Sequence, residues 1–375
     1  MTRPRHRVRS AARALTVAAR LAATVEVVRR LSSAARGAPP LAPPDVSPSE
    51  HDAEARPLTI TVVVPARDEA RRIGPLLERV VGAPGVAEVI VVDDESTDDT
   101  AATAEAAGAR VVTGTERPTG WAGKTWALQQ GVDSATTDWI VTLDADTRPD
   151  PELPIALIDR IAADRLDLIT VGGRFDCADP LARALQAAML TTLVYRFGAP
   201  GADVPADRLL ANGQCTAFRR GLLTDDGFSV VAGEVVEDVA LARRLAETGR
   251  RVAFLDGSDL LRVRMFESLT DTWTGWRRSL ALPGVEPLTR QLVGLALVAL
   301  VQATPLTRLL LGRADAIDLV GVALRLGTLV GTRSAFDRAD SGYWASPLAD
   351  VPATIALADG IRRRGRQTWR GRFYA

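Results

Sequence analysis

Histidine is nearly missing from this sequence: His6 and His51 are the only two, and both fall in segments that read as peripheral. Histidine therefore cannot serve as the base of the main domain, and any general base there has to be a carboxylate. Lysine is scarcer still, because Lys124 stands alone in a basic set otherwise made of arginine. One compact ammonium kept in such a set suits a local task such as reaching a phosphate. Cysteine contributes only Cys177 and Cys215, without metal-ligand spacing, and no signal-peptide cleavage pattern is found, so a reducing, cytosolic setting is expected. The 46 basic and 46 acidic residues cancel, which leaves no global field to attract nucleic acid. A G-x-G-x-x-G run after the first strand is also absent, and with it the signature of a nicotinamide oxidoreductase.

What is present divides the chain into five parts. Residues 1–30 are basic at the start, with Arg3, Arg5, Arg7, Arg9 and Arg13, and over 11–30 show an apolar face interrupted by Arg20 and Glu26. That stretch is too short and too charged to span a bilayer comfortably, so an amphipathic interfacial helix is expected. Residues 31–57 are rich in Ala, Pro and Ser and read as a flexible linker. From Leu58 to residue 285 strands and helices alternate: TITVVVPA, a helix from Asp68 to Val81, VAEVIVVDD, a helix from Ser96 to Ala107 capped by Ser96 or Thr97, ARVVTG, a helix from Lys124 to Ala135, then DWIVTLDAD. Such alternation implies an α/β fold around a mostly parallel, doubly wound sheet with helices on both faces. Residues 286–335 carry two apolar stretches, Leu292 to Leu311 and Ile317 to Val330, neither of them clean. They are expected as a membrane-associated helical hairpin, giving an even number of crossings if both span. Residues 336–375 form a basic tail with Arg362, Arg363, Arg364, Arg366, Arg370 and Arg372. Arginines at both ends favour the anionic cytoplasmic face of the cell membrane.

Two apolar strands run straight into acids. Val89 to Val92 leads into Asp93, Asp94 and Glu95, and Trp139 to Leu143 into Asp144 and Asp146. Acids at the carboxyl ends of buried parallel strands sit where open α/β sheets bind ligands. On an extended chain Asp144 and Asp146 would point to the same side, and without a cationic partner two such carboxylates call for a divalent cation. Oxygen ligands leaving most of the coordination sphere free suit Mg²⁺ or Mn²⁺ carrying a diphosphate. Glu237 and Asp238, ahead of the apolar-periodic Val239, Leu241 and Leu245, stand at a helix start, where a buried carboxylate is the plausible base. Glu234 is a second candidate for that role. Lys124 sits in a Gly-Trp-x-Gly-Lys turn at another helix start, a place that favours anions. Trp121 and Trp126 could line the cleft or simply pack.

The ordered series VVVPARDEA, VIVVDDES, GWAGKTWALQQG, TLDADTRPD, NGQCTAFRRG, GEVVEDVALARRL and WTGWRRSL resembles a family 2 glycosyltransferase of the GT-A fold. The nearest branch comprises membrane enzymes that glycosylate hopanoid or carotenoid lipids. The resemblance covers residues 58–285, and more weakly the tail. It implies that Pro65, Arg67 and Glu69 contact the base and ribose of a nucleotide-sugar donor. It implies that Asp93 or Asp94 accepts the uracil N3–H or holds the ribose, and that Lys124 reaches ribose or phosphates. Asp146 would be the direct metal ligand, with Asp144 on metal, sugar or ribose. Asp238 would take the acceptor proton. Gly213, Gln214, Glu237, Trp276, Arg277 and Arg278 would line the acceptor side, with Arg277 or Arg278 clamping the leaving diphosphate. The Q-x-x-R-W motif of polymerising relatives is missing where Trp276-Arg277-Arg278 stands, which suits a single transfer. The expected activity is inverting transfer of one sugar from a UDP-type donor to a membrane lipid: carotenoid, hopanoid, polyprenyl phosphate or glycerolipid. A nucleotidyltransferase is disfavoured because PARDEA has no glycine, and an inactive membrane scaffold because Asp93, Asp144, Asp146 and Asp238 all stand.

Overall fold

The computed structural model describes residues 3–44, 58–223, 227–364, 367–369 and 372–374, so part of the expected linker, His51, Arg366 and Arg370 lie outside the described residues, as do the side chains of residues 3–10 and 367–374. The elements run α1 (Arg3–Ala34), β1 (Ile60–Ala66), α2 (Ala70–Val80), β2 (Val86–Asp93), α3 (Thr100–Ala106), β3 (Arg110–Thr113), α4 (Gly123–Ser134), β4 (Trp139–Leu143), β5 (Thr147–Pro149), α5 (Leu153–Asp164), β6 (Leu168–Gly172), β7 (Arg174–Phe175) and α6 (Pro180–Phe197). There follow β8 (Cys215–Arg219), α7 (Glu237–Glu247), β9 (Val252–Asp256), β10 (Leu261–Val263), α8 (Leu269–Ser279), α9 (Leu288–Val298), α10 (Thr304–Leu310), α11 (Ala316–Gly331), α12 (Ser341–Trp344) and α13 (Asp350–Arg362). A short antiparallel pair, β11 (Gln367–Trp369) and β12 (Arg372–Tyr374), ends the described chain.

Seven strands form one sheet in the order β3-β2-β1-β4-β8-β6-β9. All neighbours are parallel except β8, which runs antiparallel to β4 and to β6. The unbroken apolar runs of β1 and β2 reflect burial on both faces. Val62, Val64, Val89 and Val91 pack with α2 and α5 on one side, and Val63, Ile90 and Val92 pack with α4 on the other. Gly131 lets α4 lie hard against the sheet, because a Cβ there would come within 2.3 Å of Val63 Cγ1. Close seating of α4 carries Lys124, at its first turn, toward the strand tips. The order turns back between β1 and β4, and the crevice beyond their carboxyl ends is the ligand position of open α/β sheets.

Two local expectations change. The α3 cap is neither Ser96 nor Thr97: the helix starts at Thr100 after Asp99. Ser96 Oγ instead accepts the Asp68 N–H, and Asp98 Oδ1 accepts the Thr100 N–H. Nor is Asp144 to Asp146 extended, because β4 stops at Leu143 and Thr147 N–H returns to the Asp144 carbonyl at 3.0 Å.

A second layer gathers α1, α6, α8, α9 and α13 around their own core, with Val27, Leu185, Met189, Trp276, Val298 and Leu357 buried in it. The helix expected over 11–30 extends to Arg3–Ala34 and packs on α6 and α11. Its Arg20 is 4% exposed and reaches Asp315 at 2.7 Å and Asp318. A π-helical turn at Ala299–Ala303 joins α9 and α10 into one helix, Leu288–Leu310, the single helix among the described residues long and apolar enough to cross a bilayer. The second apolar stretch, α11, has 16 residues and buries Asp318 and Arg325, each in an ion pair. A pair of equivalent spans is therefore not what the two stretches form. Apolar side chains still face outward on this layer, among them Leu21, Val25, Leu292, Val293, Leu310, Leu319, Val330 and Ile355.

Candidate active site

Lys124 is the hub of the site. Its Nζ lies 2.8 Å from Asp144 Oδ1 and 3.0 Å from Glu237 Oε1, so α4, the β4 tip and the start of α7 meet at one ammonium. Burial alone would lower this lysine, but the charges of Asp144, Glu237 and Asp238 hold it above its ordinary range. The expectation that the Asp144 pair lacks a cationic partner is thus corrected. Gly213 closes the hub from the β8 side, where a Cβ would come within 3.1 Å of Lys124 Nζ and 3.2 Å of Asp238 Cβ.

Asp238 receives two backbone donors, Gly213 N–H at 2.6 Å and Val239 N–H at 2.8 Å. Burial, followed by the neighbouring Glu237 charge, nevertheless pushes its carboxyl up to about 7. Asp146 is pushed up to about 7 as well, by burial and then by the charges of Asp144 and Glu69. Asp144 is raised by burial against the opposing pull of Lys124, and Glu234 is raised by burial. Asp146 Oδ1 is buried without a hydrogen-bond partner, while the Asp146 carbonyl is used by Arg264 N–H.

These groups open on one cavity of about 1300 Å³. Pro65, Arg67 and Glu69 line it beyond β1, Lys124, Asp144 and Asp146 in the middle, and Gly213, Gln214, Glu237, Asp238, Trp276 and Arg278 further along. Asp93 and Asp94 sit one strand away, at the end of β2, and are not in its wall. Arg67 links them to it, donating to the Asp94 carbonyl at 2.8 Å, and Asp93 Oδ1 is buried without a partner. Glu237, expected on the acceptor side, is 7% exposed and held by Lys124. Arg277 is not in the wall: it pairs with Asp359 of α13 at 3.1 Å. Trp121 and Trp126 pack edge to face at 5.1 Å and stay out of the cavity. Reading the sequence missed Arg72, a cavity residue paired with Glu69 at 3.7 Å, and Asn212, whose side chain clasps Gln214. The Glu69 to Arg72 spacing at a helix start was the available signal for the first; for Asn212 it was its place at the head of the NGQCTAFRRG run.

Among the described residues no three His, Cys, Asp or Glu side chains converge as a self-sufficient metal site. Two carboxylates in one turn, one with an unpartnered buried oxygen, fit a cation that takes its remaining ligands from a diphosphate.

The profile described as Glycosyl transferase family 2 matches residues 61–225. A 4,4'-diaponeurosporenoate glycosyltransferase of Staphylococcus aureus (strain bovine RF122 / ET3-1) is 43% identical over 89 residues, 24% of this chain. The match spans 24% of that relative's length, about a quarter. Among solved structures, a mycobacterial protein aligns at 28% identity and TM-score 0.42, covering 60% of this chain and 73% of that one. Glucosyl-3-phosphoglycerate synthase from Mycobacterium tuberculosis with Mn²⁺ and UDP-glucose aligns at 24% identity and TM-score 0.43, covering 60% and 77%. The profile match makes residues 61–225 a family 2 glycosyltransferase domain.

Proposed function

We propose that this enzyme transfers one sugar, with inversion, from a nucleoside-diphosphate sugar, of the uridine type, to the hydroxyl of an isoprenoid membrane lipid on the cytoplasmic face of the cell membrane. The observation that carries the reading is the two-ended cavity: carboxylates and Lys124 at the strand tips, apolar helix walls at the far end. The partial likeness to a carotenoid-type glycosyltransferase supports a polyene acceptor. Outward apolar residues on α1, α9, α10, α11 and α13 support contact with a membrane surface.

Asp238 acts as the base. Its oxygens are fixed by Gly213 and Val239 N–H, and its raised affinity for a proton matches a hydroxyl donor better than an ordinary carboxylate would. The lipid oxygen forms a bond to the anomeric carbon as its proton passes to Asp238, and the bond to the diphosphate oxygen breaks on the opposite face. Lys124 provides fixed positive charge beside the departing diphosphate without reorganising. Asp146, with Asp144, would hold a divalent cation, whose chemistry is to neutralise the diphosphate. Asp93, with its free buried oxygen, is the better candidate of its pair for the base, since Asp94 lies 3.9 Å from Arg67. Of the two neighbours, Arg278 and not Arg277 lines the cavity. A polyprenyl-phosphate acceptor is disfavoured because Glu234, Asp238 and Asp271 outnumber Arg278 at the acceptor end, Glu237 being paired with Lys124.

Membranes carrying the enzyme are incubated with several nucleotide sugars and extracted lipids, and new glycolipids are sought by mass analysis. A lipid hexoside formed by the native enzyme and absent with Asp238→Asn is expected. No product with any donor, or equal product from that variant, would overturn the proposal.

A further inference from the structure

The far end of the cavity has a shape of its own. Val320, Ala323, Leu324, Gly327, Thr328 and Gly331 of α11 all line it, at the spacing of a single helix face. Opposite stand Leu31 and Ala34 of α1 and Leu190 and Leu193 of α6, with Phe175, Phe266 and Trp276 also in the wall. A Cβ added at Gly327 or at Gly331 would meet no atom within 4 Å, so both glycines border open space instead of packing against a neighbour. Val320 is 47% exposed and belongs both to the groove and to the outward apolar surface of the helical layer. The groove therefore joins the carboxylate end of the cavity to an apolar exterior. A further observation points to a ligand with an oxygen atom. Trp276 is 6% exposed, lines the groove, and its indole N–H finds no acceptor. A buried donor left unmatched is costly, and a passing hydroxyl or carbonyl oxygen would satisfy it.

We infer that the acceptor enters sideways from the membrane between α1 and α11, as a single slender polyene or isoprenoid alcohol, and that the missing side chains of Gly327 and Gly331 set the bore of this groove. The inference rests on the lipid-acceptor reading above and adds the route and the residues that line it.

The test uses the full chain in detergent, with retinol as a fluorescent polyene alcohol read by energy transfer from tryptophan. Retinol needs neither donor nor metal, so binding is measured apart from turnover. Gly327→Leu and, independently, Gly331→Leu place a side chain in the groove and improve helix propensity, so the fold is expected to hold. Each should weaken retinol binding about tenfold, the equivalent of roughly two buried methylenes, while affinity for UDP stays unchanged. Val330→Phe, on the same helix but outside the groove and 66% exposed, should leave retinol binding and transfer unchanged. Unaltered retinol affinity in both glycine variants, or no retinol binding by the native chain, would overturn the groove. Groove-dependent retinol binding without sugar transfer to any alcohol would keep the groove and refute the lipid-glycosylation reading instead.

Discussion

Replacing Asp238 by Asn tests the base directly. The native carboxyl is pushed up to about 7, so below that pH it is largely protonated and cannot accept the hydroxyl proton. Accordingly, at saturating divalent cation, log kcat/KM should climb by one per pH unit below about 7 and level off above it. Loss of a positioned base removes roughly 10²–10⁴-fold of rate, or about 3–5 kcal/mol of barrier. Structure adds a smaller, separate cost. Both Asp238 oxygens accept backbone N–H groups, from Gly213 and Val239, and an amide offers only one oxygen. One N–H is then left facing an NH₂, at about 1–3 kcal/mol of stability.

The assay is radiolabelled sugar transfer at limiting acceptor across about two pH units on either side of 7, with thermal unfolding measured beside it. Asp146 is also pushed up to about 7, so two acid limbs overlap. A proton competes with cation at Asp146 and its partner Asp144 but not at Asp238, so raising Mn²⁺ moves that limb to lower pH while leaving the Asp238 limb in place. Asp238→Asn should be slow and lack the remaining limb. A variant that keeps the same acid limb at saturating Mn²⁺, or loses less than about tenfold in rate, would refute the base assignment.

Three further outcomes follow from the geometry. Asp146→Ala should abolish the Mn²⁺ dependence of UDP affinity measured by calorimetry, and affinity that still rises with Mn²⁺ would contradict the ligand role. Lys124→Met leaves Asp144, Glu237 and Asp238 without their shared cation; because Lys124 is 21% exposed, the cost should fall near or below the about 3–5 kcal/mol of a fully buried pair, read as lower melting temperature. Arg20→Met should strip α1 from Asp318, which is fully buried, and destabilise the helical layer by a similar roughly 3–5 kcal/mol, with faster proteolysis within α1; an unchanged melting curve would show that the pair contributes nothing.

How much was legible differs between the two layers. In the sheet, β1 and β2 fall within one residue of their expected bounds, because strands buried on both faces leave uninterrupted β-branched runs, whereas β4 stops at Leu143, three residues before the expected end at Asp146. Asp144 and Asp146 were placed at a strand tip by the same logic, and Glu237 at a helix start by the apolar period after it. The pairing of Lys124 was not legible, since it depends on Gly131 seating α4 and on α7 arriving from more than a hundred residues away. Arg277 and Arg278 could not be told apart because neighbours on a helix differ by about 100° in direction, and only the position of Asp359 on α13 decides which one turns to it and which one lines the cavity.

The helical layer was harder for a physical reason. Its charged residues look like interruptions of membrane spans, and in the fold they are ties between helices. Asp318 is fully buried against Arg20 of α1 and Arg308 of α10, and Arg325 is buried against Asp350 of α13. Each acid or arginine alone would argue against a nonpolar setting, whereas satisfied pairs let the outward face stay apolar. Such an arrangement keeps α11 fixed at its inner face while its Gly327 side borders open space. A helix tied in this way can form one wall of a groove without collapsing onto the opposite wall. Weakening the ties should therefore narrow or close the groove before it disturbs the carboxylates around Lys124. For this reason Arg20→Met is expected to impair lipid use more than UDP binding, and equal loss of both would mean that the two layers do not act separately.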